Sequence, residues 1–138
     1  MSGKTDSSIE AFTAAKVRMR ATAQIERRKA WQTWATSADG TSGSALAAHA
    51  QPVLSAARRT HAPRVASAYL PMRTEIDPLP LLAALAAAGL STALPVVPGK
   101  DVALQFRQWH PGDPTVEAGF GTREPQPSSA LVDPDLLL

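Results

Sequence analysis

The chain has no cysteine among its 138 residues, which excludes a disulfide framework, a thiolate nucleophile and any cysteine-ligated metal. Aromatics make up only 5% of it, with a single tyrosine, so packing must rest on leucine, valine and closely approaching alanines. No apolar run approaches the roughly 18 residues that a membrane-spanning helix needs. The first stretch, with Lys4, Asp6, Glu10, Lys16, Arg18 and Arg20, also lacks the apolar segment of a secretory signal. These absences predict a cytoplasmic chain that does not cross a membrane. Net charge is small, at +2, but unevenly spread. Residues 1–64 hold ten Lys/Arg against four Asp/Glu, and residues 65–138 hold four against eight. A basic first half suits an anionic partner such as phosphate, nucleic acid or a membrane surface; the plainer reading is helices with solvated cations.

What is present is enough for one domain with a real core: 44% apolar and 19% charged residues, in ordinary globular proportion. Residues 1–6 read as a loose leader. Ser7 and Glu10 match a capping box, and Ile9, Phe12, Ala15, Met19 and Ala23 recur at helical spacing, which predicts a helix from about Ser8 to Trp34. Asp39-Gly-Thr-Ser-Gly43 breaks it, and a second helical stretch runs from about Ser44 to Arg59, interrupted at Pro52. Val65 to Leu70 has the length and composition of a strand. Asp77 then makes an N-cap with Pro78 at the first helical position, ahead of a helix from Leu79 to Ala88. That helix is apolar all round, which predicts burial on every side, and Gly89 stops it. Thr92 to Val97 reads as the next strand, so the unit is βαβ and the sheet parallel. Val102 to Trp109 is a third strand, residues 110–130 are a long irregular segment, and Leu136 begins a fourth strand.

Two places carry chemistry. Lys16 and Arg20 are four residues apart on one helical face, where they can clamp a polyanion or simply face water. Glu75 lies between a strand end and a helix start, at the carboxyl edge of a parallel sheet, where open α/β folds bind ligands. An acid there can accept hydrogen bonds from an amino-pyrimidine or amide, or serve as a second cap for the helix. Trp31 and Trp34, near Arg27, Arg28 and Lys29, can stack on bases, but the reading preferred is that they anchor the helix end in a core. Gly99-Lys100 lacks the remaining residues of a phosphate-binding loop, and Gly119-Phe-Gly121 lacks the third glycine of a dinucleotide fingerprint. His49, His61 and His110 have no metal-ligand spacing, and no Gly-x-Ser-x-Gly elbow is present. No catalytic residue and no metal ligand is assigned.

Taken as an ordered set, these pieces resemble the 5-formyltetrahydrofolate cyclo-ligase (methenyltetrahydrofolate synthetase) family. The matching elements are Lys16-Val-Arg-Met-Arg20, Tyr69-Leu-Pro-Met-Arg-Thr-Glu-Ile-Asp77, Ala93-Leu-Pro-Val-Val97 and Leu104-Gln-Phe-Arg-Gln-Trp109. Pro111-Gly112-Asp113, Glu124-Pro125 and Val132-Asp-Pro-Asp-Leu136 follow in family order. The resemblance covers residues 16–138, leaving 1–15 as a leader or extension, and makes 16–138 the N-terminal part of a single cyclo-ligase domain. It implies an α/β fold, a partial three-layer Rossmann-like parallel sheet with N-terminal helices and its C-terminal strands missing.

The same resemblance implies ATP-dependent conversion of 5-formyltetrahydrofolate to 5,10-methenyltetrahydrofolate, with magnesium, in one-carbon metabolism. Lys16 and Arg20 match ATP contacts, and Leu70 and Glu75 match substrate contacts. The implied partner is the small-molecule substrate, with neither nucleic acid nor membrane. In the family, the strand that begins at Leu136 leads into a glycine-rich Gly-x-Gly-x-Gly-Tyr-Tyr-Asp loop that holds the ATP phosphates and magnesium. No such run is present here. The expectation is therefore a chain that stops before that loop, inactive by itself, with a sheet edge open to self-association. Two alternatives accompany it: a folate-binding module or half of a split enzyme, and a basic-helix binder of nucleic acid or anionic surfaces.

Overall fold

The computed structural model describes residues 4–35, 42–59 and 61–138. It divides into two compact units, Met1–Gly40 and Thr41–Leu138. Among the described residues the first unit holds a single helix, α1 (Lys4–Ala35). Helical backbone from Lys4 places Ser7 inside α1, so Ser7 is not its cap; the side chains of Ser7 and Trp34 lie outside the described residues. The Asp39–Gly43 break falls largely outside them too, although the next helix already includes Ser42 and Gly43. Trp31 is 42% exposed, so it does not anchor the helix end in a core as the sequence predicts.

The second unit begins with two short helices, α2 (Ser42–Ala47) and α3 (Ala50–Ala57). The interruption falls at Ala48–His49, not at Pro52. Pro52 sits in the first turn of α3, where the backbone N–H that it lacks would have no helical partner. There follow β1 (Val65–Ser67), α4 (Leu79–Ala87), β2 (Ser91–Val96) and β3 (Gln105–Gln108). A hairpin of β4 (Thr115–Glu117) and β5 (Arg123–Pro125), with a 3-10 turn at Gly119–Gly121, precedes β6 (Leu136–Leu137). Residues 110–130 are therefore not wholly irregular: they hold this hairpin.

The main sheet has the order β3-β2-β1-β6. β1 pairs in parallel with β2 and with β6, whereas β3 runs antiparallel to β2. The sheet is thus mixed, which corrects the all-parallel expectation. The reason lies in the connections. α4 provides the crossover between β1 and β2, but only residues 97–104 join β2 to β3, short of the dozen or so residues that a parallel crossover needs.

The helix start is offset by one residue from the expectation: Pro78 is the N-cap, not the first helical residue, and Asp77 just before it still supports the first turn, its Oδ1 accepting the Leu79 N–H over 2.9 Å. At the other end Gly89 adopts φ +98, and the bonds Leu90 N–H to Leu85 O and Gly89 N–H to Ala86 O close the left-handed stop. α4 is not buried all round. Leu81, Leu82 and Leu85 face the core while Ala83, Ala87 and Ala88 are exposed, because alanine tolerates either environment at little cost. The leucines join Leu46, Ala50 and Leu54 of α2 and α3, Ala66 and Ala68 of the β1 segment, and Leu94 and Trp109 in one cluster. Beneath it, Thr92 Oγ1 donates to the Trp109 carbonyl over 2.6 Å, which satisfies a buried hydroxyl.

The join between β1 and β6 is polar. The Asp135 carboxylate accepts the Arg64 and Val65 N–H groups over 3.0 Å, and Asp135 N–H donates to the Val65 carbonyl. Desolvation raises the Asp135 pKa, but the donors of Val65 and Arg64 and the nearby His61 outweigh it and hold the carboxyl below the ordinary aspartate value.

Two outcomes follow. Leu85→Ala, at a side chain with no exposure, should cost about 2–5 kcal/mol of unfolding free energy in denaturant titration. The Asp135 contribution is complete above the unfolded aspartate pKa of about 3.9 and is lost as pH falls through the depressed folded value. Acidification below that point should thus lower the denaturation midpoint of the wild type more than that of Asp135→Asn, and equal losses would contradict it.

Candidate functional site

β1 and β2 are parallel, so their carboxyl ends share one edge of the sheet. Ala68 keeps its place there by donating its N–H to the Ala93 carbonyl, after which the chain leaves the sheet. Leu70 is half-buried and packs against the core cluster, which roots the loop that follows. Met72 to Glu75 form a tight turn. Glu75 N–H donates to the Met72 carbonyl over 3.1 Å, and the Glu75 Oε2 accepts the Met72 N–H over 2.9 Å. Arg73 at its tip holds φ +55, a left-handed conformation uncommon away from glycine.

Glu75 is half-buried, and this arrangement fixes its side chain before any ligand arrives. One bond to Oε2 leaves a carboxylate with most of its acceptor capacity, about four lone-pair sites in all. On the loops that leave this edge, Tyr69, Met72 and Ile76 after β1 and Val97, Val102 and Leu104 after β2 are exposed, largely apolar side chains. A fixed carboxylate acceptor can orient a flat heterocycle bearing N–H donors. The loop after β2 is tied down as well, because the Val97 N–H donates to Glu124 Oε1 on β5 over 2.9 Å.

The structure thus brings Leu70 and Glu75 together in one loop. Lys16 and Arg20 lie on α1, in the other unit, four residues apart and both exposed. Two cations on one helical face suit part of a polyphosphate. Among the described residues, no three His, Asp or Glu side chains gather to hold a metal ion. No helix among them is long and apolar enough to cross a membrane. Tyr69 and Glu124 also make bonds at this edge and stand outside the predicted site residues. Tyr69 Oη donates to the Ile76 carbonyl over 2.9 Å, and as the single tyrosine, placed between a strand and a helix cap, it was visible in the sequence.

No family model and no curated protein matches this chain. Four solved chains are similar to it, and one serves for comparison. This is the solution structure of Aquifex aeolicus 5,10-methenyltetrahydrofolate synthetase, with a TM-score of 0.51 and 19% identity. The match covers 80% of this chain and 56% of that one, so the chain spans little more than half of its neighbour's length. At this identity the likeness establishes a shared mixed α/β fold, helices with a sheet of parallel and antiparallel strands.

Tyr69 titrates above the ordinary tyrosine value, raised by burial and then by the negative charges of Glu75 and Asp77. Asp77→Ala removes the acceptor for the Leu79 N–H at the start of α4. It should lower stability by about 1 kcal/mol in chemical denaturation, with the native far-ultraviolet spectrum kept. An unchanged midpoint would show that the Asp77 bond does not stabilise the start of α4.

Proposed function

We propose that this chain is a folate-binding protein of the cyclo-ligase type, engaging 5-formyltetrahydrofolate at the carboxyl edge of β1 and β2. The observation that carries the reading is Glu75, a half-buried carboxylate held by the Met72 N–H between a strand end and a helix cap. It occurs in a fold similar to that of a methenyltetrahydrofolate synthetase. A carboxylate so held is a fitting acceptor for the amino-pyrimidine edge of a reduced folate, and Leu70 offers an apolar contact beside it. On this reading the location is cytoplasmic.

The reaction belonging to that site is ATP-dependent closure of 5-formyltetrahydrofolate to 5,10-methenyltetrahydrofolate. Phosphorylation of the formyl oxygen makes it a good leaving group, and the neighbouring folate nitrogen attacks as phosphate departs. Phosphoryl transfer depends on positioning and charge neutralisation, and Lys16 and Arg20 are proposed as ATP contacts that supply part of the latter. The four-stranded sheet is on this view part of a larger three-layer Rossmann-like sheet, with further strands or a second copy pairing at the outer edge of β6. The 138-residue polypeptide carries no glycine-rich phosphate loop. Binding without turnover is therefore the expected behaviour of the polypeptide by itself.

A second reading has one observation in its favour. Trp31 is exposed near Arg27, Arg28 and Lys29 on α1, an arrangement that suits stacking and charge contacts with a single-stranded nucleic acid.

Calorimetric titration with 5-formyltetrahydrofolate decides between them. The wild type should bind, and Glu75→Gln should weaken binding by roughly tenfold, in line with the loss of a charged acceptor worth about 1.5–3 kcal/mol. Absorbance of the methenyl product after adding ATP and magnesium should stay flat. Absence of folate binding would sink the first reading, and a rise in methenyl absorbance would sink the claim of inactivity. Single-strand binding that weakens steeply with salt would favour the second.

A further inference from the structure

The loop between β1 and α4 carries a hydrogen bond whose place in the chain gives it a particular role. Tyr69 Oη donates to the carbonyl of Ile76, seven positions on, and so joins the two sides of the loop over 2.9 Å. The Met72–Glu75 turn lies wholly within the ring that this bond closes, along with both bonds between Met72 and Glu75. Arg73 within it has φ +55, where a residue with a Cβ loses about 1–2 kcal/mol relative to right-handed backbone. Such a turn persists only where its surroundings over-determine it.

We infer that Tyr69 is a positioning residue for Glu75: its hydroxyl, fastened to the Ile76 carbonyl, holds the Met72–Glu75 turn in shape and so directs the Glu75 carboxylate. The inference rests on the reading of Glu75 as the ligand acceptor. Three features support it. The ring of Tyr69 is more than a third exposed, so core packing does not account for the residue. Ile76 is exposed as well, so its carbonyl is held by this bond and not by burial of its own side chain. Burial, and then the charges of Glu75 and Asp77, raise the phenol above its ordinary value, so it stays a donor throughout the neutral range.

The strap has a different consequence from simple stabilisation. Losing a solvent-accessible hydroxyl bond would otherwise relax the whole domain slightly. Here the loss should be concentrated at the enclosed turn, because α4 and β1 are held separately by the leucine cluster. Tyr69→Phe keeps the ring and removes only the donor, and both readouts use the full chain.

The first readout is amide exchange followed by nuclear magnetic resonance, with Leu82 and Leu85 as references for overall opening. In Tyr69→Phe, the Met72 amide should exchange about fivefold faster, matching the loss of one hydrogen bond, while the two leucine amides keep their rates. An unchanged Met72 rate, or equal acceleration at all three, would overturn the inference. The second readout is affinity for 5-formyltetrahydrofolate. Tyr69→Phe should weaken it by about fivefold, and by clearly less in a Glu75→Gln background, since a strap that acts through Glu75 has nothing left to direct. Equal losses in both backgrounds would overturn it. If the wild type does not bind the folate, the functional reading fails, and the Met72 amide still decides the role of Tyr69.

Discussion

Everything at the carboxyl edge depends on the packing of one helix on two short strands. α4 sets Leu81, Leu82 and Leu85 into a cluster with Ala66, Ala68 and Leu94, and small strand residues allow the helix to approach closely. Each fully buried leucine contributes about 1.5–3 kcal/mol, against about 0.5–1.5 for a typical hydrogen bond. The leucines therefore decide where β1 ends and where α4 begins. The polar bonds between those points select one loop conformation from the few that can span the gap. This division of labour suits a chain with 5% aromatics, which has little else with which to anchor a surface loop.

The acidic side chains explain the charge asymmetry. Of the eight in residues 65–138, five accept a backbone N–H at a turn, a helix start or a strand junction. Glu75 takes that of Met72, Asp77 that of Leu79, and Asp113 that of His110. Glu124 takes that of Val97, and Asp135 those of Arg64 and Val65. A carboxylate in such a place forms a charge-assisted bond and satisfies a donor that the ladder or helix leaves over. The negative half of the chain is thus largely an architectural feature. The cations of the first half are used differently: the Lys29–Glu26 pair on α1 is exposed and contributes little.

The order of helix, strand, helix and strand was legible because it rests on local signals. Asp77 before an apolar run and Gly89 after it each act within a few residues and bracket α4, whereas the strand expected to run from Val65 to Leu70 ends at Ser67. Glu75 lies in the loop that the same signals predict, whereas Leu70, expected as the last strand residue, lies three residues past the end of β1. What escaped was decided over longer range. The direction of β3 depends on the length of its connection, and the β4–β5 hairpin on pairings such as Val116 with Glu124, which proline and glycine content conceals. The exposure of Trp31 also escaped, since helical spacing records which residues share a face but not whether anything covers it.

The loop geometry also constrains how Glu75 can meet a ligand. Its Oε2 already accepts the Met72 N–H, so recognition that consumed both lone pairs of that oxygen would have to break the turn first. Oε1 and the second lone pair of Oε2 remain, and these suit two roughly parallel donors of the kind that an amino-pyrimidine edge presents. Binding in that manner leaves the Met72 bond intact and needs no rearrangement of the strained backbone at Arg73. The ordering of the loop then precedes binding, so its entropic cost falls on folding and not on the ligand. That distribution explains why a surface loop with little apolar burial should hold so many bonds to itself. Each of them fixes the acceptor in advance, and the leucines beneath α4 supply the stability that makes such fixing affordable.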